Sequence, residues 1–430
     1  MTAVFEITNA SAKDLSKASH EINTGIGFFN HMIDQFNSHA QIGVSVQVTK
    51  SSTEEDISSK NRNANPSQQQ GLLMEKVGSS LGKELGELLT PEMKGRSSRF
   101  CCPLDEALVE CVLSVCTEGE TPSFTYTLAP YGIFPKTGRS KIGEMLTEPL
   151  SNFFVEVSKS SGLNVSLIKI RGHNGHHIVE SAFKAFSRAL RNLLDGTNTT
   201  AESCLNEGLM ADLWGLQSES YKQGLSEQRT GSSKRTTKET TIEVDLKLDG
   251  GQSGVEIDTD INTLSAFYCT LAKAADISLV VKCSGDTWVD DHHSSEDVSI
   301  AIGKLLNDAF GTKAGLNRMW CASANVGEAV VEVVMDLSNR PCLTHNLSLS
   351  DNKEGKEYVG DMSIEMLDHV LESLVMNSQM TVHIVEHSSG DLMDTTLATA
   401  KAFGKALKMC AAVDPRRAGK TASSKGTLSV

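Results

Sequence analysis

Five short stretches of the chain alternate apolar and polar residues with a period of two: IGVSVQV (42–48), LNVSLIKI (163–170), TIEVDLKL (241–248), ISLVVKC (277–283) and MTVHIVEH (380–387). Alternation of this kind, rich in β-branched residues, predicts half-buried strands. Three other stretches repeat apolar residues every three to four positions and predict amphipathic helices: IGEMLTEPLSNFFVEVSKSSG (142–162), VESAFKAFSRALRNLL (179–194) and SIEMLDHVLESLVMNS (363–378). Strands and helices therefore interleave, and the fold class is α+β with helices packed on sheets.

The pattern also repeats. FKAFSRALRNLLD (183–195) returns as AKAFGKALKMCAA (400–412), and PLDEALVECVLSV (103–115) returns as NVGEAVVEVVMDL (325–337). The offsets, 217 from Lys184 to Lys401 and 222 from Glu106 to Glu328, are far longer than a solenoid unit and predict tandem domains. A Ser-, Gly- and Thr-rich stretch separates them. The expected organisation is a first copy over 1–196, a linker over 197–233 with a short helical pattern near Met210, and a second copy over 234–430.

Composition narrows the function classes. The chain has 430 residues, 39% hydrophobic and 22% charged, which suits two globular cores rather than a disordered chain. No apolar run reaches membrane-spanning length, and the N-terminus shows no secretory or arginine-rich targeting pattern. With a net charge of −14 and no sizeable basic block, nucleic acid is not an expected partner. Ten scattered cysteines without a C-x-x-C pair read as reduced buried thiols. The expected location is the cytoplasm, or a plastid had a transit peptide been removed.

Chemistry concentrates in histidines. DDHHSSED (290–297) places His292 and Glu296 four apart and His293 and Glu296 three apart, so all can share one helix face. Adjacent histidines diverge by about 100° around a helix, which suits two ions better than one. A solvated acidic helix start would look similar. The same H-H-x-x-E spacing recurs as His176, His177 and Glu180 in GHNGHHIVESAFKAF. These two clusters do not occupy equivalent positions. The counterparts of His176, His177 and Glu180 are Met393, Asp394 and Leu397, and those of His292, His293 and Glu296 are Pro66, Ser67 and Gln70. Two lone histidines behave likewise: His31, in GFFNHMIDQFNSH, has Ala266 as its counterpart in the other copy, and His369, in EMLDHVLESL, has Asn152.

Taken together, FFNHMIDQFNSH, DDHHSSED, SNRP, DHVLESL, GHNGHHIVESAFKAFSRAL and DPRRAGKTASSKG resemble the imidazoleglycerol-phosphate dehydratase family, whose signatures read FLDHMLDQ…SH, DDHHTNED, GRP, HF, HHIIEATFKAFARAL and DPR…SSKG. The resemblance runs over nearly the whole chain, twice. It implies two tandem copies of the dehydratase domain, each made of two similar sheet-plus-helices halves of the kind called ribosomal protein S5 domain 2-like. It further implies a hydro-lyase of histidine biosynthesis that converts imidazole glycerol phosphate to imidazole acetol phosphate. The expected cofactor is Mn2+, two ions per site with eight protein ligands, in a large symmetric homo-oligomer without nucleic-acid or membrane partners.

Carried over residue by residue, the first copy supplies His31, His176, His177 and Glu180, and the second supplies His292, His293, Glu296 and His369. That is one full ligand set split between two damaged copies. The resemblance also implies substrate contacts at Gln35, His173 and Lys184 in the first copy, and at Arg318, Arg340, Ser424, Lys425 and Gly426 in the second. Arg99 is the counterpart of Arg318, so the assignment between them is open. Glu239 is the first candidate for the general acid/base, with Asp34 and His39 either behind the metal ligands or moving protons. Such a reaction needs the ring deprotonated, so that it can expel the neighbouring hydroxyl; loss of a proton from the next carbon then gives an enol and the ketone. Six histidines and two glutamates without cysteine suit Mn, Fe, Co or Zn. The competing expectation is a non-catalytic structural or regulatory homologue in a mixed assembly.

Overall fold

The computed structural model describes residues 4–14, 21–51, 65–196, 229–349, 355–417, 419–423 and 428. The helical pattern near Met210, and Ser424, Lys425 and Gly426, lie outside them. The chain divides into two compact units, Met1–Thr200 and Ala201–Val430. None of the described helices is long and apolar enough to cross a membrane.

The first unit opens with β1 (Val4–Asp14) and β2 (Ile22–Asn23), followed by α1 (Gly27–Gln35), β3 (Ile42–Ser51) and α2 (Pro66–Gly86). β1 runs antiparallel and β2 parallel to β3, giving the order β1-β3-β2. Its second half comprises β4 (Ser97–Leu104), β5 (Ala107–Val115), β6 (Phe124–Thr127), the hairpin β7 (Lys141–Ile142) and β8 (Met145–Leu146), α3 (Leu150–Ser161), β9 (Leu163–Arg171) and α4 (Gly175–Leu194). Its sheet order is β4-β5-β9-β6.

The second unit repeats this plan. β10 (Thr230–Thr236), β11 (Thr240–Lys247), β12 (Val255–Asp258), α5 (Asn262–Ala275), β13 (Ser278–Gly285) and α6 (His292–Phe310) form the half with order β10-β11-β13-β12. β14 (Met319–Val326), β15 (Ala329–Asp336), β16 (Cys342–His345), the hairpin β17 (Tyr358–Val359) and β18 (Met362–Ser363), α7 (Ile364–Ser378), β19 (Thr381–Ser388) and α8 (Leu392–Ala411) form the half with order β14-β15-β19-β16. In both, two antiparallel pairings are followed by one parallel pairing made through a crossover helix. The architecture is α+β, with one four-stranded sheet-and-helices plan used three times and, in the first half of the first unit, a version with three described strands.

Period-two patterning does what the pleat requires. Along β11, Thr240, Ile242, Val244 and Leu246 are buried while their neighbours are exposed. The covering helices then close on one another in pairs, α2 with α3, α5 with α8 and α6 with α7. Small residues allow the approach: a Cβ on Gly78 would lie 2.4 Å from the Phe153 carbonyl oxygen, and one on Gly404 would lie 2.3 Å from that of Leu271. In the second unit the α6–α7 pair carries the site histidines, whereas in the first unit they stand on α1 and α4, which pack on each other.

Two local predictions are corrected. The helix expected from residue 142 begins only at Leu150, because the β7–β8 hairpin, turning through Gly143 at φ 57, occupies the preceding residues and Pro149 serves as the cap. A residue before proline avoids the helical region, so the apolar spacing of 142–148 has no helix to serve. The FFNHMIDQFNSH helix also changes character. After Gln35 it widens into a π-helical turn, Phe36–Ala40, stopped by left-handed Gln41, and His39 lies in that wide turn.

Candidate metal centre

In the first unit the Asn174 side chain caps α4 by accepting from the His176 backbone N–H at 2.9 Å. This sets His176 and His177 in the first turn and Glu180 one turn later. His176 Nε2 stands 3.0 Å from Glu180 Oε2. α1 packs on α4 and brings His31 Nε2 to 3.7 Å from the same oxygen. The other oxygen, Oε1, is 2.8 Å from Lys184 Nζ, whose side chain is almost buried. Burial would push the Glu180 carboxyl up, but the Lys184 ammonium and hydrogen bonds from His176, His31 and Lys184 outweigh it and hold the group far below the usual carboxylate range. Glu180 is thus a fixed anion facing two imidazoles.

His177 turns away from this triad. Its Nδ1 is 2.7 Å from Glu106 Oε2, and its Nε2 is 3.8 Å from Asp105 Oδ2. Glu106 also accepts the backbone N–H of Asn174 at 2.8 Å. Burial acts to raise Glu106, yet the His177 hydrogen bond and the Asn174 amide lower it to about 2.

The second unit builds the same arrangement from other helices. α6 opens at His292, and Glu296 stands one turn on, with His292 Nε2 to Glu296 Oε2 at 3.6 Å. α7, packed on α6, carries His369, whose Nε2 is 3.4 Å from Glu296 Oε1. The His292 and His369 rings lie 4.9 Å apart. His293 again diverges: Nδ1 is 3.0 Å from Asp286 Oδ1, and Nε2 is 3.9 Å from Glu239 Oε1.

Within each triad the nitrogen and oxygen donors lie within 4.8 Å of one another. Donors about 2.1 Å from one octahedral ion stand about 3.0 Å from their cis neighbours, which is close to the separations seen here. His369 Nε2 is buried and has no hydrogen-bond partner, a gap that a cation would fill. Mixed imidazole and carboxylate donors without thiolate fit Mn and its first-row neighbours.

The counterpart positions have gone different ways. In the first unit Ser67 Oγ donates to Glu148 at 2.7 Å, Gln70 donates to the Glu144 carbonyl at 2.8 Å and accepts from the Leu146 N–H, and Asn152 donates to Glu75 at 2.9 Å. Each of these side chains is satisfied by a different neighbour in its own unit. In the second unit Ala266, Met393 and Leu397 offer no metal-binding group.

The remaining expected site residues are spread more widely. Gln35 is buried and donates to the His31 carbonyl at 2.9 Å, holding the helix that carries His31. Asp34 accepts from Asn37 at 2.8 Å, and His39 is fully buried. His173 is exposed, 3.7 Å from Glu106. Arg318, 2% exposed, grips Asp336 through Nε at 2.7 Å and Nη2 at 2.8 Å, and donates through Nη1 to the Ala422 carbonyl. Arg99 instead pairs with Glu110, so the two counterpart arginines differ in their partners. Arg340 donates to the Ser338 carbonyl at 3.4 Å.

Four residues that the motifs did not single out join these networks: Glu106, Asp286, Asp336 and Lys313. The buried Lys313 ammonium donates to Asn339, whose side chain donates to the Leu428 carbonyl at 3.0 Å. Burial pushes Lys313 down to about 8, with Asp336 pulling it back up and Arg318 adding to the fall. The unfolded chain therefore holds this proton more tightly than the folded one. Stability should rise as pH climbs from about 8 toward 10.5, by about 3 kcal/mol at most. Lys313→Met should abolish that rise, as read from urea midpoints across the range.

Residues 24–190 and 259–407 each match the family model described as Imidazoleglycerol-phosphate dehydratase. The chain belongs to that family. The two matched segments, one in each unit, make it a tandem duplication of the dehydratase domain. The chloroplastic dehydratase of Pisum sativum is 41% identical over 204 residues, 47% of this chain and 70% of its own length. The dehydratase of Gloeobacter violaceus is 37% identical over 202 residues, 47% of this chain and all of its own. Among solved structures, the dehydratase of Staphylococcus aureus subsp. aureus N315 aligns at 28% identity with a TM-score of 0.38, covering 43% of this chain and 98% of that one.

Proposed function

We propose that the chain is an active imidazoleglycerol-phosphate dehydratase, removing water from imidazole glycerol phosphate to give imidazole acetol phosphate, with one composite site for two Mn2+ ions per chain. The observation that carries this reading is the complementarity of what survives. One unit keeps His31, His176, His177 and Glu180, and the other keeps His292, His293, Glu296 and His369. Where one has its ligands, the counterpart positions of the other have lost them. Independent decay gives no reason for a complete set to remain. A large symmetric homo-oligomer belongs to the same proposal.

Bound Mn2+ would supply Lewis-acid stabilisation of the ring's negative charge. This chain's own residues do the rest. Glu180 and Glu296 each stand between paired imidazoles. Glu239, half exposed and 3.9 Å from His293 Nε2, would take the proton from the carbon next to the one that loses hydroxide. Arg340, with Lys425 and the Ser424 hydroxyl, would hold the phosphate. Arg318 would act through the chain, since its guanidinium holds the Ala422 carbonyl, two residues before Ser424 in sequence. Lys184 would keep Glu180 ionised.

The test is product formation by the purified full chain. Ketone should appear from imidazole glycerol phosphate, stop on chelation and return with Mn2+. A well-folded chain that binds Mn2+ but forms no ketone would favour the non-catalytic homologue.

A further inference from the structure

In both units the second histidine of the H-H pair has its Nδ1 on a carboxylate that no motif predicted. His177 meets Glu106 at 2.7 Å, and His293 meets Asp286 at 3.0 Å. The two carboxylates reach this position by unrelated routes. Glu106 stands on the β4–β5 turn, 71 residues from its histidine, whereas Asp286 stands on the loop that leads from β13 directly into α6. The Glu106 counterpart in the second unit, Glu328, is on the β14–β15 turn, so the shared geometry is not inherited from a shared position.

Each residue is itself anchored, Glu106 through its carboxylate and Asp286 through its backbone. Glu106 Oε1 accepts from the backbone of Asn174 at 2.8 Å and of His173 at 3.3 Å, which ties it to the entrance of α4. The Asp286 backbone N–H donates to the Glu239 carbonyl at 3.1 Å, and its own carbonyl closes a turn by accepting from Val289 at 2.7 Å. One residue therefore holds both His293 and the backbone of Glu239.

We infer that Glu106 and Asp286 are positioning residues that keep His177 and His293 in the tautomer with hydrogen on Nδ1, so that Nε2 points outward with a free lone pair for a metal ion. A carboxylate on Nδ1 fixes which nitrogen carries the hydrogen, orients the ring and raises the basicity of the other nitrogen. Both rings are turned from their neighbours, with centroids 6.1 Å apart and planes at 81° for His176 and His177, and 6.0 Å and 84° for His292 and His293. Each unit thereby presents one triad for one ion and one separately aimed imidazole for another. This inference rests on the metal-binding reading proposed above.

The test is Mn2+ titration of the full chain by electron paramagnetic resonance, alongside thermal melting in chelator. Glu106→Ala and Asp286→Ala should each weaken Mn2+ binding about 10- to 100-fold, while Glu106→Gln and Asp286→Asn, whose carbonyl oxygens still accept from Nδ1–H, should recover most of that loss. In chelator, Asp286→Ala and Asp286→Asn should melt at the same temperature, whereas Glu106→Ala should melt below the wild type because it also loses the bonds from the Asn174 and His173 backbone. Wild-type Mn2+ affinity in the alanine variants would overturn the inference, as would amide variants no better than alanine. A wild-type chain that binds no Mn2+ would instead defeat the underlying functional reading.

Discussion

His176→Ala and His292→Ala each lower kcat/KM for dehydration by on the order of a thousandfold or more, although the two residues belong to different copies of the domain. The expectation follows from the ligand count. Each triad offers only two imidazoles and one carboxylate, and the counterpart of His292 is Pro66 and that of His176 is Met393, neither of which replaces an imidazole. Mixing the two inactive variants after dissociation and reassembly separates two geometries. Partial recovery means that sites form between chains, and no recovery means that each chain completes its own. Near-normal rates in either single variant would show that one cluster suffices.

Asp336→Ala should destabilise the second unit by about 3–5 kcal/mol. Arg318 is 2% exposed and Asp336 is fully buried, so removing the carboxylate leaves a guanidinium charge in the interior beside the Lys313 ammonium. The loss should appear as a lower urea midpoint with an unchanged slope. Replacing both partners, as Arg318→Met with Asp336→Leu, should restore part of the stability, since no guanidinium is then left unpaired, while Lys313 still lacks the Asp336 charge. The double variant should nevertheless stay catalytically impaired, because the donor to the Ala422 carbonyl is gone. Full activity in the double variant would remove Arg318 from the proposed phosphate apparatus.

What could be read from the residues depended on sequence distance. His292 and Glu296 are one helical turn apart, so their shared face follows from helix geometry alone, and the same holds for His176 and Glu180. The strands at 42–51 and 240–247 were visible in their alternation. The 142–148 stretch was misleading, because its apolar residues serve a two-residue hairpin whose short strands carry too little periodicity to announce themselves. The π-turn holding His39 is equally silent, being a change of hydrogen-bond spacing within one continuous apolar pattern. Glu106 could not have been assigned to His177 across 71 residues without the fold. Arg318 and Arg99 look alike in sequence, and only their partners, Asp336 and Glu110, distinguish them.

The most direct test of the shared-site account is the number of Mn2+ ions held per chain, counted by equilibrium dialysis for the wild type and for His293→Ala at equal free Mn2+. The account predicts about two ions per wild-type chain and about one in the variant, because the separately aimed imidazole of one unit completes the ion held by the triad of the other. A variant chain retaining both ions at wild-type affinity would mean that each unit binds metal independently, and would contradict it.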